Sequence, residues 1–500
     1  MHWLRLFAIV AAACTVSHSV AQTAASRPSE TPTSAAVSPE ALSVQTGAAR
    51  SFAASRQSNV QKILDATAAG NDGWNKMQEL CDDFGHRLSG SAALERAIDW
   101  AVDRMKRDGQ ENCRKEEVMV PHWVRNDESC EMVEPRRKSL AMLGLGGSVP
   151  TPPEGITAEV IVVSGIEELS EVGDKAKSKI VLFNVPMAAP DGKGGGGGYG
   201  AAVRYRGMGA RWASEYGGVA ALVRSVTTRS LRSPHTGAMG YYEAKTRVPT
   251  AAISTEDADM IARLYARGVA VRVTLKMACE TRPDAKSHNV IAEIVGSSQP
   301  EQVVVIGGHF DSWDVGQGAH DDGGGCVAAM EALNVIRKLG LKPNRTIRVV
   351  LWTNEENGLA GARAYAKRHA DAMPNHFAAI ESDSGTFQPM GFGVDCEDPA
   401  RLAIAAGQLR ELVKLLEPLG PMHVDPGSSA ADVGPMKPLG VPVMGLDVDM
   451  TRYFDYHHTH ADTLDKIDPR DLSKTISAMA AMAYMLAEAP GKLGDEWPAK

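Results

Sequence analysis

From His288 to the C-terminus the chain alternates short, largely apolar runs with longer amphipathic stretches, and this rhythm constrains the fold more than any other feature. The apolar runs are Asn289–Val295, Val303–Gly307, Thr346–Trp352, Phe377–Ile380 and Val441–Leu446. Runs that stay mostly apolar on successive residues, with few polar interruptions, read as strands buried on both faces of a sheet. Between them, Val327, Met330, Leu333 and Ile336 share one side of a helix. Leu472, Ile476, Met479, Ala483 and Leu486 mark another near the C-terminus. Strands alternating with helices predict an α/β fold, a mostly parallel mixed sheet flanked by helices. Such sheets carry their ligand sites just beyond the carboxyl ends of the strands.

That rule selects a small set of residues. The run Val303–Gly307 leads into His309 and Asp311, and then to the turn that holds Asp321. Thr346–Trp352 leads into Glu355 and Glu356, and Phe377–Ile380 into Glu381 and Asp383. Val441–Leu446 precedes a loop with Tyr456, His457, His458, His460 and Asp462. One acidic residue in a loop usually just meets water. A histidine or carboxylate beyond strand after strand is harder to explain as solvation. Histidine and carboxylate without cysteine suit zinc in an open, catalytic site. The chain has no CxxC pair. Two zinc ions held close together would share a bridging carboxylate.

The order of these motifs is specific. His309-x-Asp311, Asp321-Asp322-Gly323-Gly324-Gly325, Glu355-Glu356, Asp383 and His458-Thr459-x-x-Asp462-Thr463 resemble the motifs of the co-catalytic zinc aminopeptidase and glutamate carboxypeptidase superfamily. Asp311–Gly325, Glu381–Phe387 and His457–Thr463 resemble its carboxypeptidase Q branch, and the likeness runs from about residue 56 to the end. The resemblance implies two Zn²⁺ per chain. Asp321 bridges them, His309 and Asp383 complete one site, and Glu356 and His458 the other. Glu355 is the general base, which takes a proton from water and hands it to the leaving amine. Asp311 sits behind His309 and fixes its imidazole. Asp462 braces the His458 loop, while Asp322, His320 and His460 receive no chemical role. In the glutamate carboxypeptidase relatives a tyrosine before the metal histidine hydrogen-bonds the oxyanion. Here His457 stands in that place and Tyr456 one residue earlier, so these two are the candidate oxyanion or substrate contacts. The implied activity is hydrolysis of dipeptides or short peptides with free termini, as aminopeptidase, carboxypeptidase or dipeptidase, by a homodimer. A single-zinc glutaminyl cyclase-like enzyme and a metal-free binding or receptor-like protein are the competing readings. The full ligand set opposes both, and Glu355 opposes the second. The sequence has no HExxH helix of the kind used by zinc endopeptidases.

The remainder of the chain sets the context. Arg5, the apolar run Leu6–Cys14 and Ser19-Val20-Ala21 predict a signal peptide over residues 1–21, hence export to the periplasm or beyond. That run is too short to span a bilayer, and Cys14 lacks the upstream leucine of a lipidation signal. Residues 22–55, rich in Ser, Thr, Ala and Pro, read as a flexible linker. Residues 56–150 and 273–500 form the catalytic domain in this reading, with a helical pattern from Ser58 to Asp108. That pattern is interrupted by a loop where His86 and Arg87 either face substrate or shape the turn. Residues 151–272 carry short β runs, Val160–Val163, Ile180–Val185, Val219–Val223 and Val248–Ile253, separated by glycine-rich turns. They read as an inserted β-rich subdomain, protease-associated-like under the resemblance, that shapes substrate access. Gly194–Gly198 is followed by no GK[ST] sequence and reads as a surface loop. A formal net charge of -8 argues against nucleic acid as partner. Six of the seven cysteines lie beyond the cleavage site, where export permits disulfides. Sequence alone does not fix their pairing.

Overall fold

A computed structural model of the chain describes residues 39–190 and 196–498. The expected signal peptide and residues 22–38 of the expected linker lie outside them. The apolar runs form the centre of an eight-stranded mixed sheet. Its strands are β1 (Glu111–Val124), β2 (Glu280–Ile294), β3 (Gln299–His309), β4 (Arg345–Trp352), β5 (His376–Glu381), β6 (Pro389–Asp395), β7 (His423–Pro426) and β8 (Val443–Val448). They lie in the order β1-β2-β4-β3-β5-β8-β6-β7. The four central strands β4, β3, β5 and β8 are mutually parallel, and β6 pairs parallel with β7. The pairs β1/β2, β2/β4 and β6/β8 are antiparallel.

The absence of polar alternation in these strands has a packing cause. Val304, Ile306, Ile347, Val349, Ala378 and Ile380 point to one face, against helices that include Gly324–Lys338 and Pro469–Glu488. Val303, Val305, Val350, Ala379 and Val443 point to the other, against a smaller layer around Tyr365 and Met436. Register then decides where chemistry sits. His309 is paired with Trp352, and Gly307 with Glu381, so β3, β4 and β5 end on one edge.

Two boundaries differ from the sequence reading. Residues 39–55 are not linker: a helix runs from Pro39 to Ala69. Ala49, Phe52, Val60 and Ile63, spaced by three or by eight residues, share one side of it and are buried. The Ser- and Ala-rich composition hides this stripe. Phe52 meets Trp497, at the other end of the chain, edge-on at 5.5 Å. The β structure around the expected insertion also reaches beyond residues 151–272. A second sheet of eight strands begins at Glu128–Glu134 and ends at Arg272–Met277. Those two strands pair antiparallel, with Cys130 opposite Leu275. Short strands with charged outer faces gave no apolar run to mark them. Cys81, Cys113, Cys130, Cys279, Cys326 and Cys396 are all free thiols. Among the described residues no helix is long and apolar enough to cross a membrane.

The N-terminal helix is a working part of the core, so Phe52→Ala should lower unfolding free energy by about 3–5 kcal/mol. Urea denaturation of the two proteins measures it. An unchanged midpoint would return residues 39–55 to the status of linker.

Candidate metal centre

The carboxyl edge of the sheet gathers His309, Asp321, Glu356, Asp383 and His458. His309 is the last residue of β3 and is 1% exposed. Its Nε2 lies 3.1 Å from Asp321 Oδ1 and 3.1 Å from Asp383 Oδ1. His458 Nε2 lies 3.2 Å from Asp321 Oδ2 and 3.0 Å from Glu356 Oε2. Asp321 therefore stands between the two histidines, one oxygen toward each. Its Oδ2 is buried and has no hydrogen-bond partner among the described residues. Beside it a void of about 10 Å³, lined among others by Asp321, Glu356 and His458, is the size of one small ion or water.

The supports of these side chains explain why they stay in place. Asp322 accepts from the His309 N–H at 3.1 Å and from the Gly325 N–H at 3.0 Å, tying the end of β3 to the start of the next helix. Gly308 makes room for it, since a Cβ there would stand 2.2 Å from Asp322 Oδ2. The Asp321–Asp322 peptide is cis. Asp462 accepts from the N–H groups of His320 at 2.7 Å and Asp321 at 3.2 Å. It thus joins the Asp321 turn to the His458 loop, beyond the local brace expected of it. His320 is a buried fastener between loops. Its ring stacks on Phe387 at 4.3 Å and Tyr456 at 5.6 Å. Burial pushes its pKa down to about 4, so it packs as a neutral ring. Arg87 is also fully buried and faces no substrate. Its guanidinium donates to the carbonyls of Gly85, Phe310, Gln317 and Gly318, shaping the turn before Asp321. His86 is exposed and His460 takes no part in the cluster.

Asp311 differs from expectation. The acceptor behind His309 is its main-chain carbonyl, 3.0 Å from Nδ1, whereas its carboxylate is 3.9 Å away. The carboxylate instead receives the N–H groups of Glu355 at 3.0 Å and Glu356 at 3.4 Å and the Ser89 hydroxyl at 3.1 Å. It therefore orients the Glu355-Glu356 turn. Glu355 is half-buried, and its carboxylate has no hydrogen bond among the described residues. Tyr456 points away, toward Arg452 and the His320 ring. His457 stays close, with Nε2 3.7 Å from Asp321 Oδ2 and its ring stacked on His458 at 3.6 Å.

Electrostatics at the cluster are dominated by negative charge. Burial disfavours a charged His458, yet Glu356 and Asp321 push it up to about 10. Burial likewise opposes charge on His309, and Asp383 and Asp321 raise it well above its ordinary value. Glu355 is driven well up by burial and by Asp383 and Glu356. Burial and Asp383 raise Glu381 to about 8. Asp321 goes the other way: burial is overcome by the hydrogen bond from His309 and the nearness of the His458 and His457 rings, and it stays well below the usual carboxylate range. Such a site is short of positive charge. Carboxylate oxygens, imidazole nitrogens and an unpartnered Asp321 oxygen fit divalent zinc. Two groups of side chains converge closely enough to hold an ion, His309 with Asp321 and Asp383, and Asp321 with His457 and His458. Asp321 belongs to both.

Sequence reasoning missed Tyr453. It is buried on the short helix Tyr453–Tyr456 and packs on His457 at 5.0 Å. Burial, Asp321, Asp383 and Glu356 together raise its pKa well above the ordinary phenol, which places it in the field of the cluster. Only its nearness to His457 in the sequence pointed that way. A cleft of about 590 Å³ opens next to Asp383, lined by Ser384, His423, Asp425, Ser429 and Asp447 among others.

Comparison with known proteins places this arrangement. A profile of Peptidase family M28 matches residues 289–483. Carboxypeptidase Q of Bos taurus is 43% identical over 431 residues, spanning 86% of this chain and 88% of that protein. Carboxypeptidase Q of Homo sapiens is 42% identical, spanning 84% and 86%. The crystal structure of a Peptidase M28 precursor from Shewanella amazonensis SB2B is 35% identical, with a TM-score of 0.83 over 90% of this chain and 100% of that one. A zinc aminopeptidase from Bacillus subtilis shares the fold at 19% identity, with a TM-score of 0.61 over 86% of this chain and 98% of that one.

Proposed function

The chain belongs to Peptidase family M28 and is a zinc metallopeptidase, and from that premise we propose a two-zinc exopeptidase with Glu355 as general base, acting on dipeptides or short peptides with free termini. The observation that carries this reading is the division of Asp321, Oδ1 at 3.1 Å from His309 Nε2 and Oδ2 at 3.2 Å from His458 Nε2. A bridging ligand needs that division. His309, Asp321 and Asp383 would hold one ion, and Asp321, Glu356 and His458 the other. His458 is preferred to His457 because a ligand histidine normally has its second nitrogen fixed by an acceptor. His458 Nδ1 has the Thr236 carbonyl at 3.1 Å, whereas His457 Nδ1 is buried without a partner among the described residues. The name carried by the relatives supports exopeptidase action. So does a cleft of about 590 Å³, room for a small molecule and not for a folded chain. Export through residues 1–21, an access-shaping role for the inserted subdomain and a homodimeric state belong to the same reading.

Zinc held by these residues supplies Lewis acidity, polarising the scissile carbonyl and making a water acidic near neutrality. The rest falls to the chain. Glu355 is held by its N–H on Asp311 Oδ1 at 3.0 Å, which leaves its carboxylate free to take a proton. It accepts that proton from the attacking water and delivers it to the leaving amine nitrogen. The Tyr453 hydroxyl, without a hydrogen bond among the described residues, donates to the carbonyl oxygen as negative charge grows there. It thereby fills the role that sequence assigned to His457 or Tyr456.

Metal analysis of the wild-type protein should find about two zinc ions per chain. Asp321→Ala should impair both sites and Glu356→Ala chiefly one; a fully loaded Asp321→Ala protein would remove the bridge. Glu355→Gln should keep its zinc and bind a product-like inhibitor normally, with turnover down by at least about 10²-fold. If zinc is lost instead, the roles of Glu355 and Glu356 are exchanged. Tyr453→Phe should lower kcat by about 10²–10³-fold with zinc content unchanged. Steady-state kinetics on a free dipeptide checks this, and an unaltered kcat would leave the oxyanion without Tyr453.

A further inference from the structure

We propose that the inserted subdomain is part of the metal centre's scaffold: the main-chain carbonyl of Thr236, held by Arg206, fixes the ring orientation and tautomer of His458. The proposal rests on the reading of His458 as a metal ligand. His458 Nδ1 lies 3.1 Å from the Thr236 carbonyl oxygen, and the Thr236 N–H donates to the His458 carbonyl at 3.0 Å. One residue of the inserted subdomain thus grips this histidine through both ring and main chain. His458 needs that grip, because its backbone is left-handed, with φ of 62°. A carbonyl only accepts, so Nδ1 carries the hydrogen. Nε2, which faces Asp321 and Glu356, is then the nitrogen that would release its proton and offer its lone pair to a bound ion.

Arg206 secures the carbonyl. Its Nη1 stands 3.4 Å from the Thr236 oxygen and 3.2 Å from His458 Nδ1. With Nδ1 protonated, the guanidinium donates to the oxygen and not to the ring. Its Nη2 donates to the Tyr199 hydroxyl at 3.1 Å. Arg206 is 8% exposed, and its Nε has no partner among the described residues. A buried arginine without a paired carboxylate costs stability, so its position calls for a function other than packing. Gly237 confirms how tightly it is seated: with φ of 143°, a Cβ there would stand 2.4 Å from Arg206 Cζ.

The same threonine reaches the other ligand loop. Its hydroxyl donates to the Gly144 carbonyl at 2.7 Å and accepts from Arg125 Nη2 at 3.2 Å. Arg125 grips Asp314 at 2.6 and 2.9 Å, in the loop that follows His309 and Asp311. His309 itself is oriented from within the catalytic domain, by the Asp311 carbonyl. The two histidines therefore have separate supports, and only that of His458 comes from the inserted subdomain.

Zinc titration of the metal-free full-length protein against a competing chelator tests this. Arg206→Met should weaken one zinc-binding step by about 10–100-fold, as loss of an orienting partner does, and leave the other step unchanged. The melting temperature of the metal-free protein should stay close to wild type. Arg206→Lys keeps one donor for the carbonyl and should recover part of the loss. Tyr199→Phe removes only the hydroxyl that anchors Nη2 and should weaken the same step less. His458→Ala should abolish that step; if it leaves both steps intact, the ligand reading itself fails. If His458→Ala weakens a step while all three other variants bind as wild type, the scaffold proposal alone is overturned. Equal weakening of both steps with a lower melting temperature also overturns it, since Arg206 would then serve only folding. Should Arg206→Met not fold, Arg206→Lys and Tyr199→Phe decide: selective weakening supports the proposal and unchanged binding rejects it.

Discussion

The Asp321 carboxylate is buried where the ends of the central strands meet, and the architecture around it answers the cost of placing charge there. Withdrawing an ion from water costs several kcal/mol unless it is paired and hydrogen-bonded. Asp321 meets that cost with His309 and His458, one on each oxygen. Around this core stand Glu355, Glu356, Asp383, Glu381 and Asp462, whose carboxyl groups burial and mutual repulsion push upward. An excess of buried acid tolerated in one place fits a site whose charge balance includes metal cations.

The second demand is positional. Side chains on four separate chain segments converge on one small cluster, and loops alone rarely hold such precision. The chain achieves it with groups that carry no chemistry. Arg87 fastens four carbonyls, Asp462 spans two ligand loops, His320 wedges between Phe387 and Tyr456, and Asp311 turns Glu355 and Glu356 apart. The inserted sheet adds its own support. Gly146 lies so close to Trp313 that a Cβ would stand 2.0 Å from the indole, and the main-chain N–H of Trp313 donates to Glu356 at 3.1 Å. The second sheet is therefore packed onto the loop that leads from His309 to Asp321.

Much of this was legible in the amino-acid order. The buried strands read as largely apolar runs because both faces of the sheet are covered, and the ligand candidates followed from asking what stands at the strand ends. His309, Asp321, Glu356, Asp383 and His458 all lie in one cluster. The N-terminal helix and the first strands of the inserted sheet were not legible. Their burial partners lie far along the chain, as Phe52 meets Trp497 and Cys130 meets Leu275. Local composition carries no record of such partners.

Sequence by itself determined the class of fold, the histidines and carboxylates that gather in one cluster and the edge of the sheet on which they meet. These follow from short-range rules: a periodicity, a residue type and its offset from a strand end. Only the tertiary structure decided which atom of each residue acts. It set the carbonyl of Asp311 behind His309 and turned its carboxylate to the Glu355 turn. It packed Tyr453 on His457, turned Tyr456 toward Arg452 and His320, and brought Thr236 and Arg206 to His458. The reason is that hydrogen bonds are made by oriented atoms across long sequence separations, and orientation is fixed by packing that no local pattern encodes.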